Sequence, residues 1–348
     1  MDIRGVCYDT GRAYGGGFVT RRVFDPAMTR RELEIIRDDL HCNAVRFQGT
    51  DIGRLITAAT DALKLGGLQV WLSPELFKKS QQTTIAYLAR AAAAAEPLHE
   101  QYSGQLVFCV GTESSLFTNG IVPGRTVNQR IASIRRAGLR SGAHAPQLQA
   151  FLAEASDTVR KSFHGPLTYA STPFEDVDWS RFDFIGVDHY RNSKNDHRYA
   201  ETLRRYVGQG QPVVNTEFGH SSYRGDRPGM MEFGELDMMS LALHRIPLAG
   251  RFVRPRLKRG PFIRNEAWQE RQLTTTLAIL DAEGVSGAFI WTFADPWLTH
   301  SADLPHDLDI TSTALVKTYE RGHGTTYPGL PWEPKPAFGA VASFYATH

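Results

Sequence analysis

The chain has 348 residues, 42% hydrophobic and 22% charged, with 31 glycines and 18 prolines. That balance supports a full buried core and excludes disordered and fibrous classes. Its 39 basic and 37 acidic residues leave a formal charge of +2, without the basic excess of a general nucleic-acid or membrane-surface binder. Small-molecule chemistry is favoured, with no nucleic acid and no membrane as partner. Cys7, Cys42 and Cys109 are an odd number without CxxC spacing, so they read as buried free thiols rather than a disulfide framework. The opening MDIRGVCYDTG contains no signal-peptide run, and no stretch of about 18 apolar residues follows. A cytoplasmic location is the expectation.

Short apolar runs alternate with helical patterns along the whole chain. Strands are predicted at 3–8 (IRGVCY), 43–48 (NAVRFQ), 68–72 (LQVWL), 106–110 (LVFCV), 167–170 (LTYA), 183–187 (DFIGV), 212–216 (PVVNT) and 285–291 (VSGAFIW). Amphipathic helices are predicted at 29–40, 51–65, 80–102, 126–136 with 144–161, 197–207, 264–283 and 336–346. Each strand is almost continuously apolar, as expected when both faces are covered, which suits a parallel sheet closed by an outer ring of helices. The reading is a single domain over 1–348, a (β/α)8 TIM barrel. An open doubly wound sheet is disfavoured, because Gly15-Gly16-Gly17 after the first strand does not fit G-x-G-x-x-G and opens no helix.

Two connections are long, 218–263 after strand 7 and 292–335 after strand 8. In a barrel both lie on the catalytic face, where long loops wall or cover a pocket. Met230, Met231, Met238 and Met239 read as the buried side of a lid helix. The basic run RFVRPRLKRG at 251–260 reads as a solvated face, with contact to an anionic substrate group as the alternative.

Barrel active sites form at the C-terminal ends of the strands. The polar residues falling there are Asp9, Arg46 with Gln48, Glu75, Glu113, Asp188-His189-Tyr190, Glu217, and Trp291 with Asp295 beyond it. Two glutamates, on strands 4 and 7, face across the mouth. Two carboxyl groups flanking a glycosidic bond suffice for its hydrolysis, one protonating the leaving oxygen and one attacking or activating water. Other barrel chemistries lack their parts. The first strand ends in Tyr8-Asp9-Thr10 rather than H-x-H, and Asp188-His189 offers two metal ligands at most. None of the eight lysines sits on a strand, which removes Schiff-base chemistry. No metal and no cofactor are expected.

These residues resemble the retaining glycoside hydrolases of the large (β/α)8-barrel clan with glutamates at the ends of strands 4 and 7. VFCVGTE is similar to the strand-4 segment that carries the acid/base, here Glu113, and PVVNTEFG to the strand-7 segment that carries the nucleophile, here Glu217. FDFIGVDHY places Tyr190 like the tyrosine that touches the nucleophile. GAFIWTF places Trp291 like the sugar platform, and AVRFQ places Arg46 like the arginine beside the nucleophile. WEPKPAF is similar to the tail of many such enzymes. One departure is Thr112, where the family places an asparagine that contacts the sugar 2-hydroxyl.

The resemblance implies an ionised Glu217 held by the Arg46 cation, and a protonated Glu113 raised by an apolar wall and a like charge, with Phe117 and Glu217 as the suppliers. Trp291 would stack on a sugar ring, and Asp9, Asp188 and His189 would hydrogen-bond its hydroxyls unless they pair with Arg191 or another rim cation. Substrate-binding candidates are thus Asp9, Arg46, Thr112, Asp188, His189, Tyr190 and Trp291. The expected function is retaining cleavage or transfer of a glycosidic bond on a small-molecule or oligosaccharide substrate. Thr112 motivates an alternative, a repurposed barrel performing elimination, isomerisation or cyclisation. A carbohydrate-binding protein without turnover is the third reading, disfavoured because both glutamates are kept. The oligomeric state is not legible.

Overall fold

Eight parallel strands close into a barrel, each hydrogen-bonded to its sequence neighbours and the last to the first. They are β1 (Ile3–Gly11), β2 (Ala44–Gly49), β3 (Gln69–Pro74), β4 (Leu106–Thr112), β5 (Leu167–Ser171), β6 (Ile185–Asp188), β7 (Val213–Phe218) and β8 (Gly287–Ile290). The computed structural model describes residues 1–138, 142–223, 235–246, 248–258, 260 and 262–348. The (β/α)8 reading is correct, and every barrel strand overlaps its predicted run.

The helices begin where short polar side chains cap them. Asp25 accepts from the Ala27 and Met28 amides ahead of the helix Pro26–Asp38, with proline in its first turn. Asp51 caps Ile52–Leu65 and Ser80 caps Gln81–Gln101. In the last of these the alanine run packs closely on the sheet through Ala91, Ala92 and Ala95, all buried. Two apolar layers result. Tyr8, Phe47, Leu72, Phe108, Ile185 and their neighbours fill the space between strands and helices. Cys7, Trp71, Val107, Val214, Phe289 and Trp291 fill the barrel interior, as layered side chains do in closed barrels. All three cysteines are free and buried.

The ladder breaks register between Asp9 and Gly11, Cys109 and Thr112, and Val187 and Asp188. Such irregularities re-aim side chains, and here they fall at the catalytic ends of β1, β4 and β6. Gly186 on β6 permits the close approach of β5, because an added Cβ would stand 2.4 Å from the Tyr169 carbonyl oxygen.

The long connections after β7 and β8 pack on each other. Tyr223, Leu236, Leu241 and Leu257 from the first meet Trp297, Leu298, Leu308 and Ile310 from the second in a separate apolar cluster. Arg264 ties them further, reaching Asp307 at 2.7 Å and Asp309 at 2.9 Å. The methionine reading needs correction: Met238 and Met239 open the helix Met238–His244 and are 45% and 68% exposed. Their positions fall on its outer side, while Ser240 and Leu241 turn inward. Met230 and Met231 lie outside the described residues, as does Arg259 of the basic run. No described helix is long and apolar enough to cross a membrane.

Candidate active site

Alternation along β2 sends Arg46 and Gln48, two residues apart, to the same side of the strand, and both reach Glu217 on β7. Arg46 Nη1 donates to Glu217 Oε1 at 2.7 Å, and Gln48 Nε2 donates to the same oxygen at 2.7 Å. The Tyr190 hydroxyl donates to Oε2 at 3.1 Å. Arg46 is fully buried and is braced by the Thr216 carbonyl at 3.0 Å and Ser73 Oγ at 3.2 Å. Burial works against its charge, but the carboxylates of Glu217 and Asp188 outweigh it and hold the guanidinium well above its usual pKa. A buried cation compensated in this way locks the carboxylate it faces.

Glu113 is built differently. It follows the bulge at the end of β4 and takes left-handed backbone angles, φ 41°, before the single turn Ser114–Phe117. A non-glycine residue in that region costs roughly 1–3 kcal/mol and persists only when its surroundings hold it. Here Tyr169 and Glu175 do so. The Ser114 amide donates to Tyr169 Oη at 2.7 Å, and the Ser115 amide donates to Glu175 Oε1 at 3.0 Å. The Ser115 hydroxyl donates to the same carboxylate oxygen, and Tyr169 Oη donates to Glu175 as well. Burial pushes the Glu113 carboxyl well above the carboxylate range, with the charges of Asp188, Glu217 and Glu175 adding to it. Glu217 was anticipated as a like charge; Asp188 and Glu175 were not.

Asp188 ends β6 as the register partner of Glu217 on β7. Its Oδ1 accepts from Thr216 Oγ1 at 2.6 Å, and its Oδ2 accepts from Thr112 Oγ1 at 3.1 Å, while Arg46 stands 3.9 Å away. Burial first, then the Glu217 charge, raises its pKa well above the usual range. Thr112 therefore spends its one hydroxyl proton on Asp188 and presents only lone pairs elsewhere.

The remaining candidates spread around the mouth. Asp9 accepts from the Gly11 amide at 2.8 Å and faces Arg12 at 3.7 Å; its Oδ2 is buried without a hydrogen-bond partner. The His189 ring stacks on Tyr199 with centroids 4.2 Å apart, and burial pushes its pKa down to about 4, so it is neutral. Trp291 is buried with the Arg12 guanidinium 4.1 Å over its ring, so a cation–π contact occupies that face of the expected sugar platform. Arg191, weighed as a rim partner for the acids, pairs instead with Asp196 at 2.5 Å and Gln272 at 2.8 Å.

Three contributors were left out of the sequence-based site. Gln48 bridges Glu217 to Glu75, donating to Glu75 Oε1 at 2.8 Å. Glu75 is pushed up to about 7, by burial first and by Glu217, against Arg12, Arg46 and Gln48. Both stand at strand ends, and the spacing of Gln48 from Arg46 was the signal that could have selected it. Arg12 lies on the chain just past β1, where no pattern in the sequence marks it. No group of three or more metal-ligating side chains occurs among the described residues.

No family model and no curated protein matches the chain. Solved structures do, at the level of the fold. A GH113 β-mannanase from Alicyclobacillus acidocaldarius aligns with a TM-score of 0.59 at 18% identity over 99% of this chain and 97% of its own. Another GH113 β-1,4-mannanase aligns at 0.58 and 16% identity over the whole of both chains. A GH2 β-galacturonidase from Eisenbergiella tayi aligns at 0.57 and 15% identity over all of this chain and 51% of its own. The chain thus has the (β/α)8 barrel architecture found in these glycoside hydrolases.

Proposed function

We propose that the protein is a retaining glycosidase or transglycosidase in which Glu217 is the nucleophile and Glu113 the acid/base. The reading is carried by the contrast between the two carboxyl groups. Glu217 accepts three hydrogen bonds, one from a buried arginine, which fix its position. Glu113 sits among carboxylates that favour its neutral form. Double displacement requires a firmly held carboxylate to attack and a protonated carboxyl to serve the leaving group.

In the first step Glu113 gives its proton to the leaving glycosidic oxygen while a Glu217 oxygen bonds to the anomeric carbon. The C–O bond to the leaving group breaks, and a glycosyl ester forms on Glu217. In the second step Glu113, now a carboxylate, takes a proton from water or an acceptor alcohol, whose oxygen displaces Glu217 from the anomeric carbon. Arg46, Gln48 and Tyr190 hold the nucleophile in place. The unpartnered buried oxygens Asp9 Oδ2 and Gln48 Oε1 are acceptors suited to sugar hydroxyls, since such groups normally find partners. The fold shared with β-mannanases makes β-1,4-mannan oligosaccharides the first natural substrates to test.

The test is hydrolysis of aryl glycosides of both anomeric configurations and of mannan oligosaccharides. Glu217→Gln should reduce turnover by at least roughly 10³-fold. Glu113→Ala should retain turnover of substrates with good leaving groups and accelerate on addition of azide. Retention of most activity by Glu217→Gln removes it as nucleophile. The engagement of the Thr112 proton by Asp188 favours the second reading, a repurposed barrel using the same two glutamates as proton carriers. That reading gains if a folded wild type turns over no glycoside in the panel.

A further inference from the structure

A cavity of about 380 Å³ opens between the connections after β1, β7 and β8, and none of Glu113, Asp188, Arg46 or Glu217 lines it. Its volume is in the range of small-ligand sites. Four arginines do line it, Arg21, Arg22, Arg245 and Arg254, against two carboxylates, Glu32 and Glu320.

The arginines differ in what compensates them. Arg21 donates to the Asp9 carbonyl at 2.6 Å and faces Glu32 at 3.8 Å. Arg254 stands 3.8 Å from Asp303, and Glu320 is directed to His244 at 4.0 Å. Arg22 and Arg245 have no ion-pair partner among the described residues. Arg245 lies 3.7 Å over the Phe18 ring, and its Nη1 is buried without a hydrogen-bond partner. Burial and the charge of neighbouring Arg22 push its pKa down to about 10. Proteins rarely leave a desolvated donor unpaired or set two like charges together without an anion between them. A guanidinium pair is matched by the planar or tetrahedral oxygens of a carboxylate, sulfate or phosphate. Around the arginines the wall carries Trp297 and Trp332, with Thr20 and Thr299 as hydroxyl donors, a surface suited to a sugar ring.

We propose that this cavity is an oxyanion-binding site in which Arg22 and Arg245 hold the anionic group, carried by a sugar acid or sugar phosphate or supplied as free phosphate. Arg254 gives the basic run 251–260 a place in it. The site is separate from the glutamate pair, so its test reads binding rather than turnover, and either proposal can fail without the other.

The experiment is calorimetric titration of the full chain at low ionic strength with inorganic phosphate, glucose 6-phosphate and glucuronate, with glucose as the neutral control. The anions should bind, glucose should not, and added salt should weaken the binding. Arg22→Ala and Arg245→Gln should each weaken it by roughly tenfold or more, and Lys161→Ala, an exposed cation elsewhere, should not. Arg22 is exposed, so its variant decides the matter if Arg245→Gln does not fold. Tighter binding of glucose 6-phosphate or glucuronate than of inorganic phosphate identifies a saccharide ligand; equal binding identifies a free anion, and both support the site. Absence of binding by all three anions, equal binding of glucose, or unchanged affinity in Arg22→Ala overturns the proposal.

Discussion

Asp188 shows how far one buried carboxylate can set the behaviour of its neighbours. It touches Thr112 and Thr216, stands beside Arg46, and after burial is the first charge that raises Glu113. Asp188→Asn keeps the shape and removes that charge, so the Glu113 pKa should fall. The alkaline limb of the pH–rate profile should then move to lower pH by roughly one unit. An unmoved limb would detach Asp188 from the acid/base. Glu75 gives a second test, read in stability. Its ordinary value of 4.5 is raised to about 7 in the folded protein, so the folded state holds the proton more tightly. The stabilisation is complete below 4.5 and is lost as pH rises through about 7. Glu75→Gln keeps an acceptor for Gln48 without the charge. It should therefore stabilise the protein relative to wild type at pH 8 and lose that advantage toward pH 4.5 in denaturant titrations. The same gain at both pH values would contradict this.

At the scale of elements, the eight strands were legible because a strand covered on both faces is written as an uninterrupted apolar run, and capping residues such as Asp51 and Ser80 mark the helix starts. What the pattern hid is local geometry. The turn Ser114–Phe117 is too short to show a period, and the left-handed backbone of Glu113 depends on Tyr169 and Glu175, more than fifty positions away along the chain. Arg46 and Glu217 were readable as strand-end residues, but the Gln48–Glu75 extension and Arg12 over Trp291 arise only when the barrel closes. The exposed Met238 and Met239 show the opposite limit, since a helix of seven residues can carry apolar side chains on its free face. The two long connections are joined by Arg264, whose partners Asp307 and Asp309 are almost fully buried. Arg264→Ala leaves Asp309 to Lys335, 3.0 Å away, and Asp307 to His300, 2.9 Å away, and should cost roughly 1.5–3 kcal/mol for the lost charged hydrogen bonds. Limited proteolysis should then cut within 219–265 or 291–335 before the barrel strands. Cleavage rates equal to wild type would show that the apolar cluster alone holds the wall.

For the molecule as a whole, the barrel supplies a rigid ring, and the chemistry is concentrated where β2, β4, β6 and β7 end. One buried arginine faces Glu217 and Asp188 together, and the proposed separation of nucleophile from acid rests on this asymmetry. The cavity with Arg22 and Arg245 stands beside that mouth and has no part in the separation. The account therefore rests on Glu217 becoming covalently bonded to the anomeric carbon. The direct measurement is mass spectrometry of the protein after incubation with a 2-deoxy-2-fluoro glycoside bearing a good leaving group, which slows both steps and traps the ester. The predicted result is a single glycosyl adduct on the peptide containing Glu217, absent in Glu217→Gln. An adduct on another carboxylate, or turnover of the parent glycoside with inversion at the anomeric carbon, would contradict it.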